Sequence, residues 1–156
     1  MKNVYKIGII IALTCAIAIY YTFPKIINLT FNGIRYKVDN QQQQEQVTIN
    51  INGSYRKRIL KKDLFEGSIK IDNQSFDGLE ISVGDNSSWI SSFDKDSQSV
   101  KYYGEIFTDN TLSKFTISLV GKDGFMISAP AKDRVDAVKI SNELMKNVLK
   151  KNFKFK

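Results

Sequence analysis

The pattern of apolar and polar residues changes twice along the chain. Residues 7–24 contain no charged side chain, residues 47–127 alternate apolar with polar positions in short runs, and residues 133–149 repeat apolar side chains every three or four positions. Strict alternation is typical of a β-strand with one buried face, and the longer repeat is typical of an amphipathic helix. The pattern therefore predicts an apolar N-terminal helix, a β-sheet and a C-terminal helix.

Six or seven short strands are expected in the middle of the chain. The clearest alternating runs are residues 47–51, 65–71, 79–83 and 115–119. Residues 100–108 carry apolar side chains on both faces, which favours a central strand covered on both sides. Gly121 and Gly124 can adopt positive φ and predict a tight hairpin. Short connections between successive strands indicate an antiparallel sheet.

The C-terminal helix is expected to begin after Asp133 as N-cap, with Asp136 in its first turn. Its apolar stripe comprises Val135, Val138, Ser141, Met145 and Val148, widened by Ala137, Leu144 and Leu149. On the polar face, Lys139 and Glu143 have the i,i+4 spacing of an ion pair. A helix of roughly four turns with such a stripe needs an apolar surface to cover, so we expect it to close the sheet by packing on its inner face. The predicted fold class is α+β, mostly β.

The N-terminal segment is predicted to be a transmembrane helix. The 18 residues from Ile7 to Pro24 are flanked by Lys6 and Lys25, and as a helix they would rise ~27 Å, close to the ~30 Å of a hydrocarbon core. Retention as an anchor is favoured, with the rest of the chain outside. Two alternatives stay open, namely cleavage as a signal peptide near residues 16–18 and lipidation at Cys15.

The chain then divides into three parts. Residues 1–25 form the anchor, residues 26–46 a juxtamembrane segment and linker, and residues 47–156 a β-rich domain with the C-terminal helix. The linker assignment depends on the low-complexity run from Gln41 to Gln46, which is typical of a solvated connection.

Composition excludes several kinds of chemistry. The chain has no His and one Cys, so it cannot form a His-based catalytic triad, a His-ligated zinc site or an intrachain disulfide. Asp94 and Asp96 resemble the start of a calcium loop, but the central Gly and the final Glu of such a loop are missing. No catalytic, cofactor-binding or metal-binding residue is predicted, and no cofactor is expected.

Basic clusters are the most visible polar feature in a chain with 23 Lys and Arg against 16 Asp and Glu. Five of the seven residues 56–62 are basic, and the C-terminal tail adds Lys146, Lys150, Lys151, Lys154 and Lys156. Three interpretations remain: a solvated surface, contact with an anionic surface, and nucleic-acid binding, which is the least expected.

Three stretches carry a resemblance to small uncharacterised single-pass membrane-anchored proteins of Gram-positive bacteria. They are the Lys-flanked apolar N-terminus, residues 65–71 after a basic strand, and residues 127–131 followed by 141–145. The resemblance implies an architecture of anchor and β-domain and implies no chemistry.

Together these features predict a non-enzymatic interaction domain, held at the cell membrane by a single span and lying outside the cell. Its expected partners are the membrane through residues 7–24 and a protein or an anionic envelope polymer. The alternatives are an anchored carboxylate-dependent hydrolase and an inhibitor or immunity-type protein acting at the membrane.

Overall fold

A computed structural model describes residues 2–84, 87–94, 98–121 and 124–146, with side chains described from residue 6 onward except for 92–94. Within these ranges the chain forms two helices and eight strands. In chain order they are α1 (Lys2–Thr22), β1 (Lys25–Lys37), β2 (Asn40–Arg56), β3 (Asp63–Ile71), β4 (Gln74–Val83), β5 (Ser88–Asp94), β6 (Ser99–Thr108), β7 (Phe115–Leu119), β8 (Phe125–Ala129) and α2 (Arg134–Leu144).

All eight strands belong to one antiparallel sheet in the order β4-β3-β2-β1-β8-β7-β6-β5. The order consists of two meanders, β1 to β4 and β5 to β8, which join where β1 pairs with β8. The sheet curls until its edges β4 and β5 approach, giving a nearly closed, barrel-like shape. At this seam the Ser82 N–H donates to Ser88 Oγ at 3.2 Å.

The core fills the inside of the curled sheet. Its fully buried members come from β2 to β8: Ile49, Ile51, Phe65, Ile69, Ile81, Ile90, Ile106, Phe115, Ile117 and Ile127. The alternating runs predicted as strands supply most of these side chains, because alternate residues of a strand face the same side of the sheet. The predicted fold class, an α+β sheet of six or seven strands closed by the C-terminal helix, is therefore wrong, because eight antiparallel strands form a nearly closed, barrel-like sheet, although the alternating runs do lie in strands.

Residues 26–46 are part of the sheet, which corrects the predicted juxtamembrane segment and linker. β1 spans Lys25–Lys37 and pairs along its whole length with β2, which begins at Asn40 and contains the Gln run. Ile34 and Tyr36 are 3% and 1% exposed. The prediction failed because low complexity was taken to mean solvation, whereas backbone pairing to β1 orders this run whatever its side chains are.

α2 confirms the predicted start of the C-terminal helix but lies on the other side of the sheet. Asp133 accepts a hydrogen bond from the Asp136 N–H at 2.9 Å, as an N-cap does. The helix packs on the outer face of β1 and β8, where Ala137 is buried with Tyr36 and Met126. The inner face needs no helix, because the curled sheet covers it with its own opposite wall.

Three finer helix predictions also change. Val135 is 76% exposed and does not belong to the buried stripe. Glu143 pairs with Lys114, the residue just before β7, at 2.6 Å. α2 ends at Leu144, and the predicted stripe members Val148 and Leu149 lie outside the described residues.

The strand expected at the centre of the sheet is second from its edge. β6 lies between β7 and the edge strand β5, and its first half is exposed, with Tyr102 at 57%. Its second half is covered on both faces, since the adjacent residues Ile106 and Phe107 are 1% and 2% exposed. The predicted hairpin glycines do adopt positive φ, at +71° for Gly121 and +73° for Gly124.

The predicted transmembrane helix is wrong. Among the described residues, no helix is both long enough and apolar enough to cross a membrane. α1 ends at Thr22, so its uncharged part runs from Ile7 to Thr22 and rises about 24 Å, short of a hydrocarbon core of about 30 Å. The predictions of a signal-anchor, a single-pass topology and a location at the cell membrane are therefore also wrong.

Candidate functional sites

Two polar features lie at opposite ends of the curled sheet. The first is the basic loop, residues 56–62, which connects β2 to β3 beside the end of α1. The second is the Arg35 network, formed by Arg35, Glu45 and Asp72 where β1 and β2 approach their hairpin.

The basic loop is shaped by hydrogen bonds around Asp63. The Asp63 carboxylate accepts hydrogen bonds from the Tyr55 hydroxyl at 2.5 Å and from the Arg58 backbone N–H at 3.2 Å. The Arg58 Nε–H donates to the Lys62 carbonyl oxygen at 2.5 Å. These bonds hold Leu60 in the left-handed region, with φ +64° and its side chain fully exposed. Asp63 therefore serves the loop as a fixed acceptor.

Burial raises the pKa of Tyr55, and the hydrogen bond to Asp63 together with the charge of Asp63 raises it further. Both effects disfavour the phenolate, since a negative charge would be desolvated and would lie beside a carboxylate. Tyr55 is thus a hydrogen-bond donor that stabilises the loop.

The cations of the basic loop are mostly unpaired by acids. Arg56 forms an ion pair with Glu66 at 3.2 Å, and the Lys57 ammonium lies 5.1 Å from the centre of the Tyr21 ring. Within the described part of the chain, the charged groups of Lys57, Arg58, Lys61 and Lys62 form no ion pair with a carboxylate. An open cleft of about 590 Å³ lies between this loop and residues Thr22 and Pro24. The cleft therefore presents positive potential to solvent.

The Arg35 network was missed by the sequence analysis. In β1, Ile27, Leu29 and Phe31 point into the core, and Arg35 follows on the same side of the strand. Its guanidinium pairs with Glu45 of β2 and, at 3.2 Å, with Asp72 in the turn between β3 and β4. A charged residue in register with three inward apolar residues was the available signal, and the linker assignment of residues 26–46 concealed it.

Two β-bulges bring aromatic rings to this end of the sheet. In β4, Asp77 and Gly78 oppose the single residue Ser68, and the extra residue turns Phe76 inward. In β6, Tyr103 is the additional residue between the partners of Ile90 and Ser91 and also turns inward. The rings of Phe76 and Tyr103 then meet with centroids 4.4 Å apart. Bulges commonly re-aim side chains in this way beside functional sites.

Charges and burial act together in the network. Burial alone would lower the pKa of Arg35, but the hydrogen bond and charge of Glu45, with smaller contributions from Tyr103 and Asp72, raise it. Burial raises the pKa of Tyr103, against the opposing charge of Arg35. Arg35 is therefore a permanent cation and Tyr103 a neutral hydroxyl. Glu45 and Asp72 keep 59% and 42% of their side chains exposed, so their remaining lone pairs accept hydrogen bonds from solvent or a ligand.

Other candidates from the sequence contribute little. Among the described residues, no group of three or more His, Cys, Asp or Glu is arranged to hold a metal ion. Asp96 lies outside the described residues, as do Lys150, Lys151, Lys154 and Lys156 of the basic tail. Cys15 is exposed on α1 as a free thiol.

Comparisons with protein-family models, curated proteins and solved structures found no match for this chain. The resemblance to small single-pass proteins of Gram-positive bacteria thus stays a prediction from the sequence.

Proposed function

We propose that the protein is a non-enzymatic binding module that holds a linear polyanion in the cleft of its basic loop. The observation that carries the proposal is that Lys57, Arg58 and Lys61 line the cleft without an ion-pair partner among the described residues, on a loop shaped by Asp63. Unpaired cations around an open cleft attract anions at long range and bind them without needing a deep pocket.

A polymer fits this surface better than a single small anion. The loop cations are distributed along the cleft, and each exposed ion pair contributes only about 0.2–1 kcal/mol. Useful affinity therefore requires several phosphates or carboxylates on one molecule. The anionic envelope polymer expected from the sequence has this property.

A hydrolase is the weaker alternative. Hydrolysis by a carboxyl pair needs one group to donate a proton while the other acts as base or nucleophile. Glu45 and Asp72 converge on the same guanidinium, where both accept hydrogen bonds from Arg35. That arrangement favours binding over proton transfer.

The test measures binding of labelled polyphosphate, with labelled polyglutamate as the carboxylate arm, by fluorescence anisotropy. Lys57→Gln with Lys61→Gln removes two exposed cations of the loop, and Lys70→Gln with Lys139→Gln removes two exposed cations elsewhere as a control of equal charge. The loop pair should weaken binding by about 2- to 30-fold, the effect of two exposed ion pairs, and the control pair should change it little.

Salt provides a second criterion. Affinity of the unaltered protein should fall steeply between about 20 and about 200 mM salt, because exposed charges are screened over this range. Equal losses in the two double variants would show attraction to net charge alone and would refute a site at the basic loop. Absence of binding to either polymer at low salt would refute the proposed function.

A further inference from the structure

The Arg35 network borders a pocket at the end of the sheet opposite the basic loop. This pocket has a volume of about 310 Å³ and is lined by Arg35, Gln43, Gln44, Glu45 and Phe125. A neighbouring opening of about 370 Å³ includes Phe76 and Tyr103 in its walls. Hydrogen bonding and charge couple Tyr103 to Arg35, so the network lies where the two openings meet.

Packing of the sheet at this end does not require a charged residue at position 35. An apolar side chain at position 35 would extend the core formed by Leu29 and Phe31, yet the chain has an arginine there whose Nε is buried without a hydrogen-bond partner among the described residues. Each buried donor without a partner is costly, by about 1–3 kcal/mol. The cost maintains a rigid guanidinium that holds two half-exposed carboxylates, Glu45 in the pocket lining and Asp72 on the same guanidinium.

The lining determines the kind of ligand. The carboxylate of Glu45 offers acceptors, and the side-chain amides of Gln43 and Gln44 offer both donors and acceptors. Phe125 adds an apolar ring to the wall. The three charged groups of the network sum to −1, which disfavours an anionic ligand. The ligand that matches these groups is a compact ring that carries many hydroxyl donors and has apolar C–H faces.

We propose that the pocket beside Arg35 binds a neutral polyhydroxylated ring, that is, a saccharide unit. The exposed oxygens of Glu45 accept bonds from its hydroxyl groups, the Gln43 and Gln44 amides bond to the remaining hydroxyls, and the ring of Phe125 covers one face. This site is distinct from the basic loop and does not depend on the polyanion proposal.

The experiment follows backbone amide signals of the full chain by NMR during titration with methyl glucoside, N-acetylglucosamine and glucuronate. The two neutral sugars should shift signals of residues 43–45 and of Phe125, with dissociation constants of about 1 mM, while glucuronate should bind more weakly. Glu45→Gln should weaken neutral-sugar binding about tenfold, since it removes an ionised acceptor.

Glu66→Gln is the matched control, because Glu66 also pairs with an arginine on the surface but lies far from the pocket. Its titrations should resemble those of the unaltered protein. Phe125→Leu, which keeps an apolar side chain without the ring face, should also weaken binding and provides an independent test if Glu45→Gln alters the fold. The proposal is refuted if no neutral sugar shifts these signals at about 10 mM, if glucuronate binds best, or if Glu45→Gln and Glu66→Gln behave alike.

Discussion

Replacing Tyr36 tests whether the segment that resembles a linker in sequence is structural. Tyr36 is 1% exposed, and its hydroxyl lies 2.7 Å from Ser141 Oγ of α2. The Ser141 hydroxyl donates to the Val138 carbonyl oxygen at 2.9 Å, so its oxygen accepts from Tyr36. Tyr36→Phe removes this bond and leaves the Ser141 acceptor without its donor in a buried place. We expect a loss of about 1–3 kcal/mol in the free energy of unfolding.

Two further variants separate the hydrogen bond from the packing. Tyr36→Ala also removes the ring between Met126 and α2 and should cost about 3–5 kcal/mol, as for other buried aromatic residues. Ser141→Ala combined with Tyr36→Phe should cost less than the sum of the single changes, by about 0.5–1.5 kcal/mol, because both remove the same bond.

Urea unfolding and thermal melts of the full chain give these values, and each kcal/mol corresponds to about 2–4 °C at this size. The reasoning would be refuted by a Tyr36→Ala variant with unchanged stability, which is what a solvated linker predicts. A strictly additive double variant would refute the contact between β1 and α2.

Three further predictions concern other parts of the fold. Gly67→Ala should destabilise the protein by about 1–3 kcal/mol or more, since a Cβ there would lie 2.2 Å from the Asn52 carbonyl oxygen; a normal urea midpoint would contradict the close approach of β2 and β3. Burial alone would raise the pKa of Asp109, but hydrogen bonds from Ser113 and Thr111 lower it below 3.8, so its contribution to stability is present above that pH and is lost as pH falls below it. In Asp109→Asn the melting temperature should therefore decrease less steeply as pH falls below about 4 than it does in the unaltered protein. An equally steep decrease in both proteins would contradict this role of Asp109. A fragment of residues 24–156 should fold cooperatively and one of residues 40–156 should not, because the second lacks β1; equal circular dichroism melts would refute the central position of that strand.

Local patterns predicted individual elements well and their assembly poorly. The alternation at residues 47–51 and 115–119 appears in β2 and β7, and Asp133 caps α2 as expected. These features depend on neighbours in sequence. The curling of the sheet depends on contacts between its distant edges. Because the curled sheet buries its own inner face, α2 packs on the outer face. No short window of sequence contains that information.

The candidate sites differ in the same way. The basic loop is contiguous in sequence, so its charge cluster is visible before its shape is known. The Arg35 network joins β1, β2 and the turn after β3, and its aromatic neighbours depend on two bulges. A bulge shifts the alternation by one residue, which a strict period of two cannot represent. The charged residue among the apolar positions of β1 was the one local signal of this site.

The junction between β1 and β8 also sets the order in which the protein can be assembled during synthesis. Ile34 pairs with Ser128, which the ribosome adds only after most of the chain has emerged, whereas β1 to β4 pair locally. Until β8 arrives, the first meander exposes an open edge at β1 with Ile34 and Tyr36 uncovered. Such an edge is a template for pairing with other nascent chains. The incomplete sheet therefore persists until translation reaches β8. Variants that slow formation of the second meander should aggregate during expression, although the folded protein remains stable.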